Sequence, residues 1–326
     1  MGTTMNVISE PAEFGRRAEP YRRELLAHCY RMLGALDEAE DVVQETYLRA
    51  WRSYGGFDGR SSLRTWLYRI ATNACLTALR QRGRRPLPSG LGAPEADPDA
   101  EPEPAAGVRW LQPVPDALVT PESADPAVIA SIRDSLRLAL LTSLQELSPR
   151  QRAVLILREV LDVPAAEVAT MLDTTVAAVK SALQRARARL AEPVRAPAGE
   201  PTEAAARELL ELYLTGFENA DVGALERALR ADATIEMVGS RTWFAGRATC
   251  LRFLARVVGE PGDWRMVATR ANGQPAAGAY LRGGDGRHHA FGLGALTVST
   301  SGITRIVVFG GGAAQLAPFG LPPVLP

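Results

Sequence analysis

Lysine is almost missing from this chain of 326 residues: every basic residue except Lys180 is an arginine, a usage that reflects GC-rich coding more than chemistry. Cysteine is nearly as scarce. Cys29, Cys75 and Cys250 lie far apart in sequence, which argues against a disulfide framework or a clustered metal site and fits a reducing cytoplasm. Each is read as a small, buried apolar residue. Long apolar runs are absent too, since nowhere do eighteen apolar residues stand together. The first twenty residues hold Glu10, Glu13, Arg16, Arg17 and Glu19 without an apolar core. A soluble, unexported, cytoplasmic protein with no membrane partner is therefore expected. Net charge is also lacking, with 37 basic residues against 37 acidic ones, so no whole-protein field draws the chain to nucleic acid. Any such binding must be local. What is present is an apolar content of 46%, enough to give two or three domains a core each.

Charge is segregated along the chain. DEAEDVVQETYLRAW, 37–51, places Asp37, Glu38, Glu40, Asp41 and Glu45 within one helical stretch, with Asp41 and Glu45 one turn apart on a face opposite Val43, Thr46 and Ala50. Downstream, RSSLRTWLYRIATNACLTALRQRGRR, 60–85, carries seven arginines and no carboxylate, interleaved with Trp66, Tyr68 and Asn73. Arginines neutralise phosphates, aromatics stack on unpaired bases and an amide reads a base edge, a combination suited to opened DNA. The plainer alternative makes Trp66 and Tyr68 core residues, and for Trp66, in phase with Leu63 and Ile70, it is preferred.

Apolar residues recur at helical spacing from Glu13 to Arg85, broken at GGFDGRSS, 55–62, and the stripe includes Val42, Val43, Tyr47, Ala50 and Trp51. Between Pro86 and Pro126 ten prolines and eight acidic residues face one basic residue, Arg109, and this composition predicts an extended acidic tether without regular structure. Within it RWLQPVPDAL, 109–118, is apolar enough to dock.

Helical periodicity returns from Val128 to Leu190. LSPRQRAVLILREVLDVPAAEVATMLDTTVAAVKSALQRARARL, 147–190, has the form of a helix-turn-helix: a helix from Ala165 to Leu172, a turn at Asp173, and Thr174 or Thr175 capping a second helix. On that helix Val176, Val179, Leu183 and Ala186 are expected to face inward, leaving Lys180, Ser181, Gln184, Arg185 and Arg187 outward with groups able to read bases and pair phosphates. A solvated face on an ordinary bundle is the alternative.

Acidic helix, aromatic and basic helix, proline-rich tether and helix-turn-helix, in this order, resemble the sigma-70 family of RNA polymerase initiation factors, of the extracytoplasmic-function (group IV) type. DEAEDVVQETYLRAW resembles regions 2.1 to 2.2, FDGRSSLRTWLYRIATNACLTALR regions 2.3 and 2.4, and 147–190 region 4. Thr77 stands where Asp is more usual, and Asp173 where Gly is. The resemblance implies that Asp41, Gln44 and Glu45 dock on a basic coiled coil of core RNA polymerase. It implies that Phe57, Asp58, Arg60, Ser61 and Asn73 capture flipped bases of the promoter -10 element, and that Lys180, Ser181, Gln184, Arg185 and Arg187 meet the -35 element. The tether resembles the region 3.2 linker, whose carboxylates mimic nucleic acid in the polymerase cleft.

Residues 203–326 change character: helices Glu203 to Asn219 and Val222 to Arg230, a strand ATIEMV, a helix Arg247 to Val258, then β-like WRMVATR, AAGAYL, HHAFGLGAL and ITRIVVF. This order looks like the SnoaL-like branch of the NTF2-like superfamily. The expected fold is thus multi-domain: an all-α region 2 domain over 13–85, a linker over 86–127, an all-α region 4 domain over 128–192, a short linker over 193–202 and an α+β cone-shaped domain over 203–326. Superfamily members include cyclases and isomerases, so Glu236, Tyr280 and His288 are candidates to line a small-molecule pocket, with His288 and His289 on opposite strand faces. No catalytic residue, metal or cofactor is assigned. Regulation in cis by this domain is preferred over the alternatives, a cyclase or isomerase tethered to a DNA-binding module and a plain helix-turn-helix regulator, which leave residues 37–85 unexplained.

Overall fold

The helical spacing of apolar residues in the first part of the chain becomes four helices in the computed structural model, which describes residues 9–57, 59, 61–80, 83–120, 125–190, 199 and 201–326. They are α1 (Ser9–Ala18), α2 (Arg22–Leu33), α3 (Leu36–Ser53) and α4 (Leu63–Leu79). Helix α2 is central, with every residue from Leu25 to Leu33 buried. It stops at Gly34, whose φ of 72° is a left-handed conformation that glycine adopts without strain. Helix α4 begins at Ser62, whose hydroxyl accepts the Thr65 amide at 3.0 Å. Cys29 and Cys75, distant in sequence, meet where α2 packs on α4, and burial together with the Cys29 contact holds the Cys75 thiol well above its ordinary pKa.

The chain divides into two compact units, and the first joins residues up to 84 with 117–194. A single turn, α5 (Asp116–Val119), is followed by α6 (Pro126–Asp134), α7 (Leu138–Gln145), α8 (Pro149–Leu155), α9 (Ala165–Met171) and α10 (Val176–Leu190). Ser148 and Gln151 form a reciprocal capping box at the start of α8, which runs on into a π-helical turn, Ile156–Val160. Asp173 takes a φ of 49° at the turn between α9 and α10, and Thr175 caps α10 by accepting the Ala178 amide at 3.1 Å. Within this unit α7 and α8 pack on α2 through buried arginines. Arg31 donates to the Ser135 hydroxyl at 2.7 Å, and Arg152 donates to the Met32 carbonyl and to Gln145 and Leu147. Burial lowers both guanidinium pKa values to about 10.

His28, fully buried on α2, has its Nε2 2.9 Å from the Thr72 hydroxyl, which itself donates to the Tyr68 carbonyl at 2.7 Å. The hydroxyl's proton is spent, so Nε2 carries the imidazole proton. Burial, helped by nearby Arg31, lowers the His28 pKa to about 3. The folded protein thus stays unprotonated here while the unfolded chain takes up a proton below its ordinary pKa near 6.5. Stability from this site is therefore full above that pH and falls as pH drops toward 3, by about 1.4 kcal/mol per unit. Chemical denaturation at pH 7 and pH 5 should show wild type losing about 2 kcal/mol more than H28Q; equal losses would contradict this account.

The second unit joins residues 85–116 to those from 195 onward. Helices α11 (Glu203–Glu218), α12 (Val222–Ala228) and α13 (Arg247–Val257) pack on a curved sheet of β1 (Leu229–Val238), β2 (Trp243–Ala245), β3 (Trp264–Ala271), β4 (Gln274–Arg282), β5 (His288–Ser299) and β6 (Gly302–Gly310). The strand order is β2-β1-β6-β5-β4-β3, with β1 and β6 parallel and the other pairs antiparallel. Helix α14 (Gly312–Leu316) and the short β7 (Val324–Leu325), paired with β5, end the chain. The strand-like runs of the sequence fall on β1 and β3 to β6. No helix of the described residues is long and apolar enough to cross a membrane.

One expectation is corrected here. The stretch 85–116 is not an extended tether: it lies on the α+β domain, with bridges Glu95 to Phe244, Pro104 to Ser240 and Pro115 to Ala271. Its ends come together, the Leu111 amide donating to the Pro86 carbonyl at 3.2 Å and Arg85 to the Trp110 carbonyl at 2.9 Å. RWLQPVPD is the better-anchored half. The Val114 amide donates to Asn272, and Asp116 accepts from the Gly273 amide and from Arg270. Proline-rich composition misleads because a proline has no N–H to satisfy, so a few edge bonds and the burial of Leu87, Leu111 and Val114 are enough to fix the path.

Candidate nucleic-acid interface

Helix α3 buries Ala39, Val42, Val43, Thr46 and Ala50, which leaves Asp41 and Gln44 exposed and Glu45 half-exposed on the opposite face. Glu45 pairs with Arg49 one turn on, at 2.6 Å. The same helix exposes Leu48 and Trp51, each at 48%, so Trp51 is not part of the core stripe that its spacing suggested. An acidic face flanked by two bare apolar side chains is suited to a protein partner.

Of the five residues matched to -10 capture, Asp58 and Arg60 lie outside the described residues. Ser61 is exposed, and Phe57 stacks on Tyr54, with rings 8° from parallel, and leans on Trp66 at 5.0 Å. Phe14 extends the row, 5.2 Å from Tyr54. Trp66 is thus half-buried in an aromatic row, while Tyr68 is core, 2% exposed. Asn73 is exposed on α4, and its amide donates to Arg69 and, at 3.2 Å, to the Met171 carbonyl of α9. Arg64, counted in the basic stretch, is engaged by Glu24 at 2.9 Å and lies over the Tyr68 ring.

On α10, Val179 and Ala186 are buried, and Lys180, Ser181, Gln184 and Arg185 are exposed together on one face. Arg185 bonds Ser181, and Arg187 pairs with Glu159 at 2.6 Å. Val176 is corrected: at 38% exposure, on the first residue of α10, it lies outside the core.

Residues 18–85 match the family Sigma-70 region 2 and residues 137–190 match Sigma-70, region 4. The chain is 49% identical over 311 residues to the ECF RNA polymerase sigma factor SigG of Mycobacterium tuberculosis, covering 92% of this chain and 83% of that protein. The chain belongs to the ECF sigma factors. It is also 33% identical to the RNA polymerase sigma-H factor of Pseudomonas aeruginosa over 51% of this chain and 78% of that one. In fold it resembles the crystal structure of the M. tuberculosis extracytoplasmic function sigma factor SigJ, with a TM-score of 0.62 and 22% identity, over 93% of this chain and 98% of that one. As a sigma factor it binds core RNA polymerase and directs transcription initiation at promoter DNA.

Beyond regions 2 and 4 this sigma factor carries the α+β domain, and there the pocket residues expected from sequence are not brought together. Glu236 is fully buried on β1, where Ile235 and Met237 on either side face a cavity of the domain, so strand alternation turns Glu236 to the other face. Its Oε2 accepts the Ser89 amide at 2.8 Å, and Arg305 Nε lies 2.6 Å from Oε1 while donating to the Ser89 hydroxyl. Tyr280 donates its hydroxyl to the Pro322 carbonyl at 2.9 Å, and His288 sits 2.9 Å from the Gly262 carbonyl. Neither lines the cavity. His288 is buried and His289 exposed beside Asp285, as strand alternation requires.

The sigma factor's cavity, about 350 Å³, is walled instead by Tyr213, Phe217, Phe253, Trp264 and Met266, with linker residues Ala100 to Pro102 on one side. Sequence reasoning missed these residues. ELLELYLTGF reads as an ordinary amphipathic helix, and its one signal was Tyr213 on the buried stripe, where a hydroxyl needs a partner.

Proposed function

We propose that this sigma factor docks on core polymerase through Asp41, Gln44 and Glu45, reads the -35 element with the exposed face of α10, and is regulated in cis by its C-terminal domain through the linker. The observation that carries the reading is the joint exposure of Lys180, Ser181, Gln184 and Arg185 on the second helix of a helix-turn-helix. Lysine with guanine and glutamine with adenine are the pairings that major-groove geometry favours, each worth about 1 to 3 kcal/mol of discrimination. Asp58, Arg60, Phe57, Ser61 and Asn73 would take the -10 bases. Both amide protons of Asn73 are engaged in the free protein, so base capture by it requires α9 to move away. The linker carboxylates, assigned by resemblance to the polymerase cleft, are available for that role once the linker leaves the C-terminal domain.

A cyclase or isomerase function for residues 203–326 is the second reading. Against it stands the lining of the cavity, where the charged residues are Glu101 and Arg256 at the linker side and Glu236 is turned away. A small-molecule ligand that is bound but not transformed fits better.

Run-off transcription with core polymerase tests the proposal on a cognate promoter and on one with a scrambled -35 element. Q184A and R185A should each lower cognate transcription about tenfold and leave polymerase association intact. Variants that still discriminate the two promoters as wild type does would remove these residues from the reading face. In the same assay, truncation after Ala191 should change output several-fold, and unchanged rate and promoter choice would end the regulatory reading.

A further inference from the structure

We propose that the cavity of the C-terminal domain binds an uncharged, largely apolar molecule bearing one carbonyl or hydroxyl oxygen, held by the Tyr213 hydroxyl under a lid formed by linker residues 98–102. This deepens the reading of the domain as a regulator in cis, and rests on that reading only for the step from linker to transcription.

Size and lining set the ligand class. A cavity of about 350 Å³ walled by Phe217, Phe253, Trp264 and Met266 suits a compact ring system. Trp264 stands edge-on to both Phe217 and Phe291, at 5.6 and 5.2 Å, so the aromatic wall has a fixed shape. The two charged lining residues lie at the lid: Arg256 is spent on the Pro98 carbonyl and Asp99, and Glu101 is exposed on the linker. A charged ligand would find no counter-ion deeper in, and burying it unpaired is costly.

Tyr213 supplies the specificity. Its side chain is 3% exposed and lines the cavity, and none of the described side-chain hydrogen bonds uses its hydroxyl, which is left to a group that enters the cavity. The sheet makes room for that hydroxyl: a Cβ at Gly294 of β5 would sit 2.9 Å from it. Burial raises the phenol's pKa, so it stays protonated and can donate to a ligand oxygen.

The lid is built from the chain between regions 2 and 4. Arg256 holds the Pro98 carbonyl at 2.8 Å, with Asp99 between Arg252 and Arg256. On the other side Glu103 donates its amide to the Thr242 hydroxyl at 2.8 Å, Arg241 donates to the Glu103 carbonyl, and the Ala105 amide donates to Gly239. A ligand touching Ala100 to Pro102 adds contacts that exist only with the linker docked, so ligand and docked linker stabilise each other reciprocally.

The test uses the full chain and displacement of fluorescent N-phenylnaphthylamine by two probes of similar shape, methyl naphthyl ketone and isopropylnaphthalene. Both should displace, the ketone about tenfold more tightly, the share of one hydrogen bond. Y213F should erase that preference while keeping the hydrocarbon's affinity, and A279L, which fills the cavity from β4, should weaken both at least about tenfold. If A279L melts below wild type, V308F makes the same test from β6. Saturating ketone should slow hydrogen exchange at the Glu103 and Ala105 amides. A preference retained in Y213F, or displacement unchanged in both filled variants, overturns the site; unchanged exchange overturns the lid. If these arms fail while truncation after Ala191 alters run-off, this inference alone falls. If they hold while truncation changes nothing, the site stands and the regulatory reading falls.

Discussion

Joint replacement of Asp41 and Glu45 by arginine should abolish co-purification with core RNA polymerase and lower affinity by at least about a hundredfold, because two attractive contacts with a basic partner become repulsive. The fold should survive. Asp41 is exposed, and Glu45 gives up only its pair with Arg49, a surface interaction worth about 0.3 to 0.5 kcal/mol. Circular dichroism and melting of D41R/E45R should match wild type within experimental scatter. Retained co-purification would mean that α3 is not the docking face and that its carboxylates are merely solvated. Because Leu48 and Trp51 are bare on the same helix, L48A is a milder companion, expected to weaken association without changing its salt dependence.

Replacing Glu236 by alanine should strongly destabilise the second unit and should free the first half of the linker. The carboxylate is fully buried, and its loss strands both Arg305 and the Ser89 amide. Breaking a buried pair costs about 3 to 5 kcal/mol, and the lower end applies here because the Arg305 side chain is 24% exposed. Hydrogen exchange should rise at Ser89 and along residues 87–95 before the α+β core opens, and thermolysin should cut there in E236A but not in wild type. E236Q keeps an acceptor for the Ser89 amide and should lie between the two. A linker as protected in E236A as in wild type would leave Glu236 with no anchoring role.

How much was legible in the sequence differs between the two units. In the first, local rules sufficed: spacing located α3 and α4, and the helix-turn-helix has its turn at Asp173, with Thr175 capping the second helix. Motif order then carried the family, which the likeness to other ECF sigma factors bears out. Exposure was less legible. Trp51 and Val176 fit the apolar stripe of their helices, yet both lie near a helix end and are exposed, because spacing tells which side a residue faces and not whether another element covers it. In the second unit strand positions could be read from alternation, but the face toward the cavity could not.

By itself, the sequence determined the helices and strands, the charge segregation between α3 and α4, the helix-turn-helix and the family, because each depends on neighbours within a few residues of one another. Tertiary structure alone decided the rest. It placed Cys29 beside Cys75, engaged the Asn73 amide with Met171, paired Glu236 with Arg305 and Ser89 away from the cavity, and laid a proline-rich stretch along the α+β domain. Each of these is a contact between residues tens to hundreds of positions apart. Their formation depends on which surfaces the folded elements leave unpaired, a quantity that no local pattern of residues encodes.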